Sequence, residues 1–481
     1  MRIAATAILV LIAGSTSAQS SSDVLVTDAD GVHITRTNSQ IDSANAKHPG
    51  FQEDLLWTFT DPISVPFSTA LGNLGTETWV GHALNDKRLG KFSTQGSNVP
   101  DFTYSLSAEN PSSIGVAAAS QASLCAMITQ SATAQIAVRA FTDANGATPI
   151  WTYNFDAQYI AARDRSVAVS ADGSRIAALA YNGTDTQLVI LDGSGNVLGS
   201  TTVPGFSLRI DMDDSGNRVV VTAGATATLY DTATLNIEYV LGVSGAGGYS
   251  RISRDGTAIA AGGFNVRAAR EIEGVWQTVY TGTGSTDWFG AVSLSADGET
   301  LFAVSHDYGS GYLINDHRSV DLTTGAVVAT SGYTGSGANQ NSVVSSEVNS
   351  NGTLFVAASW GDSGNTMPEI RVYDRDLNLV DSLDTAGSPF SLDLSPDGSY
   401  ILVGSKSVHA NTNGNGGNTQ VYQLASDCLA DTNGDGQLTP TDFTAWINAF
   451  NNNLPECDQN NDNACTPTDF TAWIANFNAG C

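Results

Sequence analysis

Two acidic loops near the C-terminus carry the side chains best suited to chemistry. In each loop, oxygen-bearing side chains occupy positions 1, 3, 5 and 12 of a calcium-type loop, and position 7 adds a backbone carbonyl. A hard cation such as Ca²⁺ takes six to eight oxygen ligands, which alternate positions of a tight loop direct inward. The sequence therefore predicts two Ca²⁺ ions, bound by Asp431, Asn433, Asp435, Gln437 and Asp442 in the first loop and by Asp458, Asn460, Asp462, Ala464 and Asp469 in the second.

A helix is predicted after each loop. Thr439 and Thr466 have the residue type of an N-cap, and each precedes a proline, which suits the first helical position. Apolar side chains then recur three, four and seven residues apart, as on one face of a helix. These stripes are Phe443, Trp446, Ile447 and Phe450 in the first helix, and Phe470, Trp473, Ile474 and Phe477 in the second. We expect both stripes to share one small core.

The duplicated loop-plus-helix unit resembles a dockerin, the module that docks secreted bacterial proteins onto cohesin receptors. The resemblance rests on two loops in register, on Asp at position 12 and on the Ala479-Gly480-Cys481 ending, which is similar to the GC-type subgroup. It implies a cohesin-like protein as partner. It also implies that loop positions 10 and 11 contact this partner, together with the helix that follows. Those positions are Pro440, Thr441, Pro467 and Thr468.

The cysteines are concentrated in the same unit. Four of the five, Cys428, Cys457, Cys465 and Cys481, lie there, which in an exported chain indicates two disulfides. Three pairings are possible, and we favour Cys428–Cys481 with Cys457–Cys465. Cys125 stands in an apolar run, where we expect a buried free thiol.

The N-terminus and the charge indicate an exported protein. An apolar run from Ile3 to Gly14 follows Arg2, and small residues up to Ala18 close it, which predicts a signal peptide over residues 1–18. Neither this run nor any later segment is long and apolar enough to span a membrane. The net charge is −28 with 20 basic residues, which argues against nucleic acid as a partner. We expect a secreted or cell-surface protein.

Residues 51–424 are predicted to form a β-propeller. Strand pairs joined by Asp-Gly or Asn-Gly turns recur, and the turn glycines are 43, 40, 42, 54 and 46 residues apart, at positions 173, 216, 256, 298, 352 and 398. A second class of turn lies between them, so each period holds four antiparallel strands. The Asp-Gly turns suit two-residue type I′ hairpins. Two degenerate copies, around Leu74-Gly75 and Ser120-Gln121-Ala122, precede the six clear ones. The fold class is therefore all-β, a propeller with eight blades favoured over seven, followed by the helical calcium-binding unit at residues 425–481.

The two ends of the propeller predict how the ring closes. The last copy ends after its third strand, at Leu424, and residues 55–59 resemble the outer strand at residues 150–153. We expect the N-terminal strand to complete the last blade and to remove an exposed sheet edge. Residues 19–50 are mostly polar, and we expect a loosely ordered arm there.

The repeats resemble the WD40-like and YVTN-type bacterial propellers, through their Ser-Ala-Asp-Gly and Ser-Pro-Asp-Gly turns. This resemblance implies a fold, and no reaction follows from it. The six histidines show no metal-binding spacing, and His82 and His306 occupy comparable repeat positions, which indicates structural roles. Long polar insertions at 306–308, 360–362 and 411–415 fall at matching places in late blades. Tyr308, Tyr312 and Trp360 in or near them have side chains able to stack on sugars, although solvated loops are the simpler explanation.

The sequence favours a binding or scaffold role over catalysis. An anchoring motif is present, whereas no recognisable catalytic constellation is found. The alternative is a carbohydrate-active enzyme, a polysaccharide lyase or glycoside hydrolase, with paired carboxylates on propeller loops. A structural protein of the cell envelope is a third possibility.

Overall fold

The computed structural model describes most of the chain from residue 51 onward and two strands before it. The described ranges are residues 22–28 and 31–37, for their backbone path, and 51–481 except 112, 132–134, 160, 163–164, 208, 245–248, 284–286, 336–342, 363, 410–415, 427–428, 434–437, 453, 461–463 and 480–481. The predicted signal peptide lies outside these ranges. Among the described residues, no helix has both the length and the apolar character needed to cross a bilayer.

A two-stranded hairpin lies within residues 19–50, where a loosely ordered arm was expected. Strand β1 (Ser22–Asp28) pairs antiparallel with β2 (Gly31–Thr37), and Val24 stands opposite Thr35. The short apolar run at residues 24–26 is enough for a strand once a partner strand supplies the hydrogen bonds. The hairpin belongs to a separate compact unit that ends at Ser43.

The rest of the chain contains eight four-stranded antiparallel sheets, which are the blades of a β-propeller. Strand β3 (Phe51–Asp61) precedes them in sequence. Blades 1 to 4, each from the innermost strand outward, are β4 (Ser64–Gly72), β5 (Glu77–Leu84), β6 (Arg88–Ser93), β7 (Phe102–Ser105); β8 (Ser113–Ala118), β9 (Cys125–Gln130), β10 (Ile136–Phe141), β11 (Trp151–Asn154); β12 (Val167–Val169), β13 (Arg175–Tyr181), β14 (Thr186–Asp192), β15 (Val197–Val203); and β16 (Arg209–Met212), β17 (Arg218–Ala223), β18 (Thr226–Asp231), β19 (Ile237–Gly242).

Blades 5 to 8 follow in the same order. They are β20 (Ser250–Ile252), β21 (Ala258–Ala261), β22 (Asn265–Ile272), β23 (Val275–Thr283); β24 (Asp287–Leu294), β25 (Thr300–Asp307), β26 (Ile314–Asp321), β27 (Ala326–Thr334); β28 (Val343–Val348), β29 (Leu354–Ser359), β30 (Ile370–Asp374), β31 (Leu379–Leu383); and β32 (Pro389–Leu394), β33 (Tyr400–Lys406), β34 (Gly417–Ser426), with β3 outermost. The prediction of eight blades is confirmed.

The ring closes as predicted. Strand β3 pairs along its whole length with β34, from Phe51 opposite Ser426 to Asp61 opposite Gly417. The innermost strands contact their neighbours in circular order, and β32 of blade 8 contacts β4 of blade 1. The N-terminal strand thus gives blade 8 its fourth strand, and the interlock joins both ends of the propeller sequence.

The Asp-Gly turns differ from the predicted type I′ geometry. Only the glycine has positive φ, as in Gly173 with φ +72°, whereas type I′ requires positive φ at both central residues. The aspartate side chain explains the difference: Asp172 Oδ1 accepts hydrogen bonds from the Ser170 hydroxyl and the Ser174 N–H, both at 2.8 Å. The side chain thereby closes a longer turn. Backbone hydrogen bonds also join successive turns, such as Ala171 N–H to the Asp214 carbonyl at 2.9 Å.

The hydrophobic core lies between the faces of adjacent blades. Ile128 and Val138 of blade 2, for example, are buried in one cluster with Val167 and Ile176 of blade 3. Middle strands are apolar on both faces because each blade is covered on two sides. Cys125 is fully buried with a free thiol, as predicted, and burial raises the pKa of that thiol.

Two helices form the C-terminal unit, α1 (Pro440–Asn452) and α2 (Pro467–Ala479), and both begin at the predicted prolines. The described residues also contain two short 3-10 helices, Asp143–Asn145 between β10 and β11 and Pro455–Cys457 between α1 and α2. Trp446 and Trp473 are buried together in a small core, packed against parts of both stripes. The expectation that both whole stripes would be buried is wrong for Ile447, Phe470 and Ile474, which are 40%, 39% and 41% exposed. Two helices of this length cover only part of each other's surface.

Candidate functional site

The position-12 aspartates occupy equivalent places in the two C-terminal loops. Asp442 and Asp469 are fully buried. The Asp442 carboxylate accepts the Asn433 N–H at 3.3 Å and the Thr439 N–H at 2.8 Å. The Asp469 carboxylate accepts the Asn460 N–H at 3.3 Å and the Thr466 N–H at 2.7 Å. Each carboxylate therefore holds positions 3 and 9 of its own loop beside position 12, as a calcium loop requires.

The remaining predicted ligands are partly outside the described residues. Asp435, Gln437 and Asp462 fall in the omitted ranges. Asp431, Asn433, Asp458, Asn460 and Ala464 are described, and the side chain of Asp431 interacts with that of Asp442. Within the described part of the chain, no three His, Cys, Asp or Glu side chains converge as a metal site. A complete set of calcium ligands also requires the aspartate at position 5, which is Asp435 in the first loop and Asp462 in the second.

The donor set of these loops fits Ca²⁺. Their predicted side-chain ligands are all oxygens, and residues 426–481 contain eight acidic and no basic residues. Two neighbouring carboxylates such as Asp431 and Asp442 repel one another unless a cation lies between them. A bound Ca²⁺ would supply that positive charge and fix the loop that precedes each helix. Asp431, Asn433 and Asp442 would hold it in the first loop, and their counterparts 27 residues later would do so in the second.

The two loops are linked by the tryptophans of the opposite helices. Trp446 of α1 donates its indole N–H to the carbonyl of Cys457, at 3.2 Å, directly before loop two. Trp473 of α2 donates to the carbonyl of Ala430, at 3.3 Å, directly before loop one. Each tryptophan and each carbonyl lies 27 residues from its counterpart, so the exchange is symmetric. The helix that follows one loop therefore positions the first ligand of the other.

A disulfide and an exposed surface complete this unit. Cys457 and Cys465 are bonded, as predicted, and they span the first eight positions of loop two. The other predicted pair, Cys428–Cys481, lies outside the described residues. The predicted partner-contact residues, Pro440, Thr441, Pro467 and Thr468, are all exposed.

The propeller has two distinct faces. The Asp-Gly turns lie on one of them. The other, which we call the loop face, carries the connections between the second and third strands of each blade and between successive blades. The insertions at residues 306–308 and 360–362 lie on this loop face, between β25 and β26 and between β29 and β30. Residues 411–415 are outside the described ranges.

The aromatic residues of these insertions are in different surroundings. Tyr308 and Tyr312 contact each other, with ring centroids 4.8 Å apart. Trp360 instead packs against Phe390, and the Lys406 ammonium lies 4.5 Å from the centre of its ring. His82 and His306 are buried, in agreement with the structural roles predicted for them; the His82 ring lies 3.4 Å from Asp61.

A cavity of about 260 Å³ follows the propeller axis and is lined by the innermost strands of all eight blades. An Arg251–Glu347 ion pair joins blades 5 and 7 across it. The Asp211 carboxylate accepts the Ile252 N–H of the next blade at 3.0 Å, and Asp393 likewise accepts the Leu71 N–H at 2.7 Å. These acids hold neighbouring strands together. Burial raises the pKa of Glu347 to about 7, while Arg251 opposes this shift.

One buried acid escaped the sequence prediction. Glu369 is fully buried directly before β30 and accepts the Thr385 N–H at 2.9 Å; His409 Nε2 lies 2.9 Å from its Oε1. Burial raises the pKa of Glu369 to about 8, with a smaller contribution from the negative charge of Asp384. Nothing in the local sequence marks this residue, because its environment comes from segments that are distant in the chain.

Comparison with known proteins supports the fold. No protein-family model and no curated protein matches the chain. A solved structure that is similar is Sqt1 of Chaetomium thermophilum, bound to the N-terminus of the ribosomal protein L10. It has 14% sequence identity and a TM-score of 0.55, and the match covers 78% of this chain and 100% of that one. At this identity the likeness establishes the propeller architecture alone.

Proposed function

We propose that this protein is an exported binding protein with two working parts. The C-terminal unit is a calcium-dependent dockerin-like module that docks onto a cohesin-type partner, and the propeller is a scaffold that binds a second molecule. The observation that carries the proposal is the pair of loops closed in the same way by Asp442 and Asp469, each followed by a helix with an exposed apolar face.

The exposed face of the helices has the character of a docking surface. Ile447, Phe470 and Ile474 are each about two-fifths exposed, in a unit whose core contains only a few side chains. Apolar residues left outside so small a core indicate a partner that covers them. They share helices α1 and α2 with Pro440, Thr441, Pro467 and Thr468, the positions that the dockerin resemblance assigns to the cohesin contact.

The propeller supports a binding role for the larger part. Loops that connect rigid strands are common binding positions, and here they project aromatic and acidic residues from one face. The similar propeller of C. thermophilum is bound to a segment of another protein. A protein partner is therefore our first expectation for the propeller, and a polysaccharide the second.

The docking part is tested by capture with the full-length chain. Immobilised protein should retain a cohesin-bearing protein in calcium and release it in chelator. The double variant Asp442→Asn/Asp469→Asn should lose both calcium binding and capture. The double variant Ile447→Ser/Ile474→Ser changes exposed positions only, and should keep calcium binding but lose capture. Capture that persists in chelator, or that survives both variants, would contradict calcium-dependent docking.

A carbohydrate-active enzyme is the second candidate, and Glu369 is the observation in its favour. A carboxyl group whose pKa is about 8 stays protonated at neutral pH, as a general acid must. It lies beside Gly361, next to Trp360 of a loop-face insertion. Turnover of acidic or neutral polysaccharides that is lost in Glu369→Gln would establish this function. No turnover across both substrate classes would favour the binding role.

A further inference from the structure

Five rings form a partly exposed group on the loop face at blade 6. We call Phe264, Trp288, His306, Tyr308 and Tyr312 the blade-6 aromatic cluster. Phe264 and Trp288 meet edge to face at 5.0 Å, and Tyr308 lies 6.3 Å from both of them. Phe264 is 50% exposed and Tyr308 is 44% exposed. The cluster thus presents ring surface to the solvent at the junction of blades 5 and 6.

The backbone around the cluster is built to hold these rings together. Two residues before Phe264, at Gly262, a Cβ atom would overlap the Phe289 carbonyl oxygen, so the two blades approach closely there. Tyr312 has a φ of +69°, an uncommon conformation for a bulky residue. It is stabilised by the hydrogen bond from its N–H to the Asp307 carbonyl, at 3.0 Å. This turn brings Tyr312 to 5.3 Å from His306. Strained backbone that is held in this way is often found at binding sites.

Three half-buried carboxylates lie on the blade-6 strands next to the cluster. Asp287 and Asp307 are opposite each other on β24 and β25, and Asp316 follows on β26. Burial raises the pKa of Asp316, and the charges of Asp287 and Asp307 raise it further, while Arg318 lowers it. Three carboxylates and one guanidinium leave an excess of negative charge at this end of blade 6.

One ring of the cluster, His306, is buried and has a nitrogen atom without a described hydrogen-bond partner. His306 is only 6% exposed and contacts both tyrosines, and its Nδ1 has no hydrogen-bond partner among the described residues. Burial lowers the pKa of His306 to about 4, so the ring is neutral at pH 7. A neutral imidazole carries one lone pair for a donor, which adds to the negative character of this site.

Two other rings on the loop face, Trp360 and Tyr249, are covered by cations of the chain itself. Lys406 lies over Trp360 at 4.5 Å, and Arg165 and Arg209 lie over Tyr249 at 4.7 and 4.0 Å. In the described part of the chain, no lysine or arginine lies over any ring of the blade-6 aromatic cluster. The ring faces of the cluster are therefore left open to a cation from a partner.

We propose that the blade-6 aromatic cluster, with Asp287, Asp307 and Asp316, binds the cationic side chain of a basic segment in a protein partner. Aromatic faces and carboxylates both attract a guanidinium or ammonium group, and the net charge of −28 draws basic partners over a longer range. A neutral sugar would use the rings and gain little from the excess charge. The inference rests on the proposed role of the propeller as a binding module and is independent of calcium docking.

The test is calorimetric titration of the full-length chain with a blocked arginine-containing peptide and with the same peptide carrying citrulline, its neutral counterpart. Arginine should bind at least about tenfold more tightly than citrulline, and this preference should fall with added salt. Tyr308→Ala and Asp316→Asn should each remove most of it. The control variant Phe206→Ala alters another exposed loop-face aromatic, 55% exposed against Tyr181, and should bind as the parent does.

Three outcomes would overturn the proposal. Equal binding of both peptides would exclude recognition of charge, and arginine binding that survives Tyr308→Ala and Asp316→Asn would place it elsewhere on this acidic protein. Binding of a neutral oligosaccharide that Tyr308→Ala abolishes, without binding of the arginine peptide, would make the cluster a sugar site. Calcium-dependent capture through α1 and α2 is unaffected in each case, so failure here is distinguishable from failure of docking. If Tyr308→Ala still binds some other ligand through the propeller, the proposed binding role of the propeller would stand even though this site had failed.

Discussion

Closure of the ring by the N-terminal strand can be tested at Trp57. This side chain is 6% exposed and stacks on Phe92 of blade 1, with ring centroids 5.2 Å apart. Its indole N–H donates to the Thr94 carbonyl at 2.8 Å. Trp57 thus fastens the outermost strand of blade 8 to blade 1, at the point where the two ends of the propeller sequence meet.

Trp57→Ala should lower the free energy of unfolding by about 3–5 kcal/mol, the usual cost of truncating a buried tryptophan. That is a large share of the roughly 5–15 kcal/mol that stabilises an ordinary domain. The substitution should also loosen strand β3, in addition to the loss of stability caused by the cavity. Strand β3 is joined to the propeller only through its C-terminal end, so it can detach without breaking another blade.

Trp151 provides a matched control. It occupies the outermost strand of blade 2, and its indole N–H donates to the Gly193 carbonyl of the next blade at 2.9 Å. Trp151 is only partly buried, and its strand is continuous with the chain at both ends. Trp151→Ala should therefore cost less, roughly 1–2 kcal/mol, because less apolar surface is lost and no end is freed.

The assay is urea unfolding of both variants followed by far-UV circular dichroism, together with limited proteolysis under native conditions. Trp57→Ala should become sensitive to cleavage within residues 51–61 before the rest of the propeller does, whereas Trp151→Ala should not. A loss for Trp57→Ala no larger than that for Trp151→Ala would refute the closure argument. So would a resistant N-terminal strand.

Three further predictions follow from particular contacts. Replacing either Trp446 or Trp473 by Phe removes one indole hydrogen bond. Each variant should bind calcium more weakly in the loop that the indole contacts, which is loop two for Trp446 and loop one for Trp473, and a calcium titration should show less cooperativity. Weaker binding only in the loop that precedes the mutated helix would contradict this exchange of contacts. Burial lowers the pKa of His317 to about 3, so between that pH and about 6.5 the unfolded state binds one more proton than the folded state. The free energy of unfolding should therefore fall as the pH drops below 6.5. The difference between the free energies measured at pH 7 and at pH 4 should be smaller in His317→Leu than in the parent protein. Arg251→Met should destabilise the propeller by roughly 3 kcal/mol in chemical denaturation, because it leaves Glu347 without its partner. The double variant Arg251→Met/Glu347→Leu should recover most of this loss. An equal loss in the double variant would mean that packing, and not charge, accounts for the stabilisation at the axial cavity.

Much of the architecture could be predicted because it depends on local patterns. Turn glycines at a period of 40 to 54 residues indicate four-stranded blades, and the incomplete last copy indicates that a strand from elsewhere must finish it. The detailed turn geometry was predicted incorrectly. The type I′ expectation considered the backbone preferences of Asp-Gly, whereas the side chain of Asp172 reaches its neighbours and stabilises another turn.

The candidate sites also differ in how far they could be predicted from the sequence. The calcium loops are contiguous in sequence, so their ligands can be listed from residue types and spacing, and they remain a prediction that calcium titration must test. The exposure of Ile447 and Ile474 could not be predicted from their stripe, because the stripe is wider than the surface that a single partner helix covers.

By itself, the sequence determined the repeat, the number of blades, the closing strand and the composition of the acidic loops, since each follows from local patterns or from comparing one copy of the repeat with the next. Only the tertiary structure decided which distant side chains meet. Phe264, Trp288 and Tyr308 come from separate strands or loops, and their spacing in sequence carries no periodic signal. The same holds for Glu369 with His409. Such groupings arise from the angle and spacing at which whole blades pack, which depend on the combined contacts of many buried residues.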